Sequence, residues 1–572
     1  MRRSMILRIR VITGIILCVS LLLIARLYYI QIINGEAYSE RAEGQYVKTR
    51  LDVYSRGSIF LSARDGALVS GASVRAGFLL AFNPSIISNP IETCTQLVDI
   101  LPLDFTRCIT QASLENRTYV EIDRAVLPTY ATKIRALSLP GVQLYRSQWR
   151  YYPGGSLSAR TIGFIGFTDK SETELHGKYG LERQYDEILM KEQEVKSINV
   201  FAEIFSNLGN MVYRKDSLAR GDIVTTIEPT VARMLDTVLN ETHTEYGGTF
   251  TGAIIMNPKT GDIYAMGAVP NFDINSRGTT SIEHFQNPLV ENVYEFGSTI
   301  KALTVAAGLD SGAITSASTY YDSGAITMNG FTIRNFDGKG RGTVPMQEVL
   351  SQSLNTGVSH IVQKMGKESF REYFENFKLG SESGIDLPNE AYGLIQNLRS
   401  PRDVEYATAS FGQGIALTPI AAARALAALG NGGYLVTPHL ASKILYEDGT
   451  EKVIQYPLGT QVISKETSEE ISRMLTNVVD TALGNGKYKL ENHTIAAKTG
   501  TAQIADPVNG GYYEDKFLHS FFGYFPAFDP EFLVFMYTVE PKGVRYASET
   551  LAAPFMDIAK FLINYYDIPP DR

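Results

Sequence analysis

The chain has 572 residues, 44 % of them hydrophobic and 20 % charged, and a net charge of −8. That length allows two to four domains, each with its own core, in an ordinary globular balance. The acidic charge, with no dense basic run, argues against nucleic-acid binding. Seven scattered histidines make no His-Glu-x-x-His or Cys/His pattern, so no metal site is expected.

At the N-terminus Arg2, Arg3, Arg8 and Arg10 precede an uncharged, mostly apolar run from Val11 to Ala25. The run is shorter than the roughly 20 residues of a membrane span. Arg10 and Arg26 can snorkel, which extends a helix to about Ile33. Tyr28 and Tyr29 suit the interface, and the arginines place the N-terminus in the cytoplasm. A cleaved signal peptide is the rival, but no small-x-small site follows the run. The sequence thus predicts a cytoplasmic 1–10, a transmembrane anchor over 11–33 and an extracytoplasmic remainder.

Residues 34–220 alternate strand-like pieces, such as Ala76–Phe82, with short helices and Gly/Pro turns, and hold no catalytic constellation. Arg56-Gly57-Ser58, Arg150-Tyr151-Tyr152-Pro153 and Gly180-Leu181-Glu182 set charges beside turn formers, as salt-bridge residues do. The lone Trp149 is expected to pack near Arg150. Cys94 and Cys108 flank a helix-turn-helix-like stretch, Thr93 to Gln111. Outside the membrane a disulfide is permitted there; two small buried side chains are the alternative.

A new unit, 221–572, begins with the strand Ile223–Ile227 and an amphipathic helix opened by Pro229. Gly252–Met256 and Asp262–Met266, joined by Asn257-Pro258-Lys259-Thr260-Gly261, read as a β-hairpin. Next comes Tyr294-Glu295-Phe296-Gly297-Ser298-Thr299-Ile300-Lys301, running into strong helix formers. Ser298 and Lys301 lie three apart on one face of the first turn, so an amine can reach a hydroxyl. A neighbouring base is what a serine needs to become a nucleophile. A capping serine with a solvated lysine is the plainer reading of that stretch alone.

Helices then dominate to about Leu429: Val344–Ser351, Val358–Met365, Glu368–Phe377 and Pro419–Leu429. Strands return at Thr494–Lys498, Ser520–Phe525 and Phe532–Tyr537, before a last helix, Ala552–Tyr565. The pattern predicts an α+β domain, one antiparallel sheet covered by helices.

Ser298-x-x-Lys301 is followed by Ser353-Leu354-Asn355 and then by Lys498-Thr499-Gly500. This ordered trio is the pattern of penicillin-binding proteins and class A β-lactamases. Ser197-Ile198-Asn199 and Lys259-Thr260-Gly261 are decoys, since both precede Ser298.

Over nearly its whole length the chain resembles the class B penicillin-binding proteins, single-pass peptidoglycan transpeptidases of cell division and elongation. Gly252–Asn275, the segment Gly412-Gln413-Gly414 to Thr418-Pro419, and Ser520–Pro526 match that family's pattern. The three turn pieces upstream match its N-terminal pedestal, and the Glu-Asp-x-x-Phe signature of the bifunctional class is absent from 34–220. Four places depart from the pattern: Phe296 replaces proline, Ala302 stands where proline often follows the lysine, Ala497 replaces glycine, and Ile59–Gly66 departs from the usual spacing to an Asn-Gly or Asp-Gly turn.

The resemblance implies a penicillin-binding transpeptidase fold after a β-rich, dimerisation-like pedestal and one transmembrane helix. It implies attack by Ser298 on a D-Ala–D-Ala stem peptide, with transfer of the acyl group to a neighbouring amine. Lys301 accepts the serine proton, which requires it to be neutral; at pH 7 that costs about 4 kcal/mol for a group whose free pKa is about 10.4. Burial and the second cation, Lys498, push it that way. Ser353 relays the proton, and Asn355 holds Lys301 and the substrate amide. Lys498, Thr499 and Thr501, with Gly500 between them, face the substrate carboxylate, and the Ser298 and Thr501 N–H groups form the oxyanion hole. No metal or organic cofactor is implied. β-Lactams are expected as inhibitors, and a polytopic membrane glycosyltransferase as a partner. A D,D-carboxypeptidase or β-lactamase-type hydrolase, and an idle scaffold or β-lactam sensor, are the competing readings. His519 is expected to be structural.

Overall fold

The computed structural model describes residues 56–190 and 220–572 except 115, 169, 170, 279, 280 and 458, together with 14, 19–23 and 26. The expected cytoplasmic segment 1–10, most of the anchor 11–33, and Ser197-Ile198-Asn199 lie outside the described residues. Among the described residues no helix is long and apolar enough to cross a membrane.

One compact unit comprises Ala76–Trp149. Phe78–Phe82 pair antiparallel with Val120–Val126, beside the helices Pro90–Val98, Phe105–Ala112 and Pro128–Ala136. Local chemistry starts the first two helices: the Asn89 side chain accepts from Glu92 N and that of Asp104 from Arg107 N. Leu80, Phe82, Leu97, Val126 and Ile134 form the unit's core. Of the two readings open for Cys94 and Cys108, the structure takes the disulfide, linking the first two helices with Cα atoms 5.9 Å apart. Trp149 sits over Gly77, where a Cβ would come within 2.6 Å of the indole.

Residues 56–75 join Arg150–Arg572 in the second unit. Ile59–Ser62 pair antiparallel with Leu68–Ala72 and parallel with Gly221–Thr225, which pairs with Ala441–Tyr446. The three charged turn pieces meet here. Glu182, with no exposed surface, receives Arg56 Nε at 2.6 Å and Arg150 Nε at 2.6 Å, and Arg150 Nη1 donates to the Gly57 carbonyl at 2.7 Å. A buried carboxylate is tolerable because guanidinium charge matches it and each of its oxygens accepts a hydrogen bond.

The sheet that carries the site has five antiparallel strands in the order Ala496–Ala505, Tyr512–Phe525, Phe532–Val539, Phe250–Met256, Ile263–Val269. Its middle strands, such as Phe521–Phe525 and Phe532–Tyr537, are buried on both faces, as continuous apolar runs require. Pro229–Tyr246 and Ala552–Tyr565 pack against the sheet and each other, and Pro419–Ala427 packs on Phe532–Val539. The hairpin, the returning strands and the final helix lie where periodicity predicts them. The expected helices appear as Met346–Ser351, Asn355–Met365, Lys367–Asn376 and Pro419–Ala427.

The stretch 319–345 differs from the expected run of helices. Thr319–Asp322 pair with Gly342–Pro345, and Ala325–Met328 with Phe331–Arg334. The reason is local: Asn329 and Gly330 have φ of 50° and 84°, the two-residue turn that closes a tight hairpin.

Candidate active site

Ser298 lies in a 3-10 turn, Gly297–Ile300, that leads directly into the helix Lys301–Asp310. From Lys301 to Gly308 every residue of that helix is buried, so it is a core helix and Lys301 is not a solvated cation. Gly297 has φ of 63°, and a Cβ there would lie 2.8 Å from the Thr501 carbonyl. A Cβ on Gly500 would lie 2.4 Å from the Phe296 carbonyl. These two glycines allow the serine turn to rest directly on the Lys498-Thr499-Gly500 strand.

Phe296 has a physical role in this packing. Its ring is 1 % exposed and meets Phe535 edge-to-face at 4.9 Å, with Tyr294 and Tyr537 around it. Its carbonyl accepts from Ser520 Oγ at 2.6 Å. Where a proline would stiffen the turn covalently, the aromatic side chain anchors it to the sheet. Phe296→Ala is expected to cost about 3–5 kcal/mol of stability, read from urea unfolding, and to slow any reaction at Ser298.

Three motifs converge on Ser353. Lys301 Nζ donates to its carbonyl at 2.6 Å and to its hydroxyl at 3.1 Å, and Lys498 Nζ donates to the same hydroxyl at 3.2 Å and to the Thr499 carbonyl at 3.0 Å. Burial first, and then the Lys498 charge, hold the Lys301 amine well below the ordinary lysine range. Burial lowers Lys498 to about 8. Ser353 occupies a left-handed conformation, φ 56°, between Met346–Ser351 and Asn355–Met365.

Asn355 reaches a different partner from the expected one. Its Nδ2 donates to the Arg334 carbonyl at 2.8 Å, and among the described residues no hydrogen bond joins it to Lys301. Nor does one join Ser298 Oγ to Lys301 there. Thr501 Oγ1 accepts from Ala547 N at 3.1 Å, while Thr499 is half-buried on the edge strand. His519 pairs with Thr501 across the ladder but is fully buried, with Nε2 donating to the Arg545 carbonyl and Nδ1 accepting from Thr550. Burial lowers it to about 4, so it is a neutral structural imidazole. The decoy Lys259 sits in its turn and pairs with Asp529 at 2.5 Å.

Glu295 is a site neighbour that the sequence reading missed. Burial pushes its carboxyl up to about 7, and it accepts from Gly414 N and Tyr512 OH, each at 3.0 Å. It ties the serine turn to the Gly412-Gln413-Gly414 segment; its place three residues before Ser298 was the available signal.

The family model of the penicillin binding protein transpeptidase domain matches residues 251–560, more than half of the chain. The chain belongs to the class B penicillin-binding proteins. The model of the penicillin-binding protein dimerisation domain matches 56–221 of this penicillin-binding protein. Stage V sporulation protein D of Bacillus subtilis is 31 % identical, over 94 % of this chain and 82 % of that protein. The peptidoglycan D,D-transpeptidase FtsI homolog of Mesostigma viride is 27 % identical, over 96 % and 94 %. Penicillin Binding Protein 2X from Streptococcus thermophilus shares the fold, with a TM-score of 0.70 at 21 % identity over 90 % of this chain and 79 % of that one.

Proposed function

We propose that this penicillin-binding protein is an extracytoplasmic D,D-transpeptidase that cross-links peptidoglycan stem peptides through an acyl-enzyme on Ser298. The observation that carries the reading is the Ser353 hydroxyl, within 3.1 Å of Lys301 Nζ and 3.2 Å of Lys498 Nζ. A neutral Lys301 takes the Ser298 proton as Oγ attacks the penultimate D-Ala carbonyl, and the O–C bond forms. Ser353 passes a proton to the departing D-Ala nitrogen as the C–N bond breaks. An amine of a second stem peptide then displaces Ser298, which recovers its proton.

Lys498, Thr499 and Thr501 bind the donor carboxylate, Gly500 lets the strand approach, and Asn355 takes the donor amide. The N–H of Ser298, which has no intrahelical partner in the first turn, acts with that of Thr501 on the oxyanion. In this reading 34–220 is the pedestal, 221–572 the catalytic domain and 11–33 a single-pass inner-membrane anchor with 1–10 in the cytoplasm. A membrane glycosyltransferase supplies the glycan strands.

The test is incubation of the full chain with a D-Ala–D-Ala pentapeptide and an amine acceptor, then with fluorescent penicillin. Release of D-Ala with a new peptide bond, and a label on the Ser298 peptide, are expected. Rapid penicillin hydrolysis would make it a hydrolase instead, and absence of any label would leave only a scaffold.

A further inference from the structure

The short-strand stretch 319–345 holds a buried carboxylate that the mechanism does not use. Asp322 is 1 % exposed. Its Oδ1 accepts from Thr356 Oγ1 at 2.7 Å, Gly324 N at 3.0 Å and Asn335 Nδ2 at 3.1 Å; its Oδ2 accepts from Arg341 N and Asn335 Nδ2, each at 3.0 Å. Asn335 Oδ1 in turn accepts from Thr356 N at 3.3 Å. The same stretch grips the chain on both sides of Ser353. Arg341 Nε donates to Gln352 Oε1 at 2.8 Å, and the Arg334 carbonyl accepts from Asn355 Nδ2 at 2.8 Å.

Residues 352, 355 and 356 are therefore all tied to this stretch, while Ser353 between them holds a left-handed φ of 56°. A serine keeps that conformation only where its surroundings over-determine it. One fully satisfied charge at the centre of such a network makes the network rigid. We propose that Asp322 is a positioning residue for Ser353, holding the hydroxyl between the two lysines through Thr356 and Asn335. The proposal rests on the acyl-enzyme reading above.

Asp322→Asn keeps the shape but turns an amide donor toward Arg341 N and Asn335 Nδ2, or else toward Thr356. The rate of acylation by fluorescent penicillin is expected to fall at least tenfold. Thr356→Val, which deletes one link, is expected to slow it at least threefold, and it serves as the readout if Asp322→Asn does not fold. The deciding measurement repeats each substitution in a Ser353→Ala background. There the relay is already gone, so a positioning role predicts no further loss, whereas general destabilisation predicts the same fold-loss again. Equal loss in both backgrounds, or wild-type rates in the single variants, overturns the proposal. An unlabelled wild-type protein overturns the acyl-enzyme reading itself.

Discussion

Ser298→Ala is expected to leave a folded protein that takes up no penicillin and releases no D-Ala. The structural cost is small because Ser298 is half-buried and its hydroxyl makes no hydrogen bond among the described residues. Phe296 and the two glycines, not the serine, anchor the turn, so melting is expected to stay within about 0.5 kcal/mol of wild type. The chemical cost is large because the proposed acyl-enzyme forms on Ser298, and the turn's other hydroxyl, that of buried Thr299, donates to the Phe296 carbonyl at 3.2 Å. Removing the nucleophile of a serine acyl enzyme costs on the order of 10⁶-fold in turnover. Intact-mass measurement after exposure to penicillin checks it: the wild type gains one adduct and the variant none. An adduct on the variant would mean that another group is the nucleophile.

In the proposed mechanism, the pH dependence of acylation follows from the two buried lysines. Lys301 must be neutral to accept a proton, and it lies well below the ordinary lysine range, so activity rises on the acid side as it deprotonates. Lys498 must be protonated to meet a carboxylate, and burial lowers it to about 8, so activity falls above that pH by about tenfold per unit. The expected profile is a bell with its alkaline edge near 8. Lys498→Arg keeps a charge at high pH and is expected to remove the alkaline edge, though at a lower maximum because the guanidinium is planar and larger. Lys498→Ala is expected to lose about a hundredfold, the worth of a hydrogen bond to a charged group. It also removes the cation that helps hold Lys301 down, so the acid edge moves to higher pH. Stopped-flow acylation between pH 5 and 10 reads all three. An alkaline edge unchanged in Lys498→Arg would remove Lys498 from carboxylate binding.

The same lysines tie stability to pH. In the unfolded chain a lysine titrates near 10.4, so between about 8 and that value the unfolded state holds more protons at Lys498, and stability rises with pH there. Below about 8 both states are protonated at Lys498 and the penalty of its burial is felt in full. The site is therefore a cost to the fold at neutral pH.

Much of this architecture is legible along the chain. Alternation and apolar runs locate the sheet strands, prolines and capping residues start Pro229–Tyr246 and Pro419–Ala427, and a three-residue spacing puts Ser298 and Lys301 on one turn. Those features are local, set by backbone geometry within a few residues. The Asn329-Gly330 turn is also local, and its hairpin was readable but hidden by the helices after it.

What the tertiary structure alone decided are the distances between groups far apart in sequence. Lys498 meets Ser353, 145 residues earlier, because sheet register and helix packing bring the edge strand to that turn. The same packing buries Lys301 and lowers the pKa of its amine, turns Phe296 into an anchor on Phe535, and closes Arg56 and Arg150 on Glu182. It also encloses Asp322, whose partners Asn335, Arg341 and Thr356 lie up to 34 residues away. No local propensity encodes such meetings. The order of the motifs names the chemistry, and the depth at which the fold buries two amines beside one hydroxyl sets the pH at which it can run.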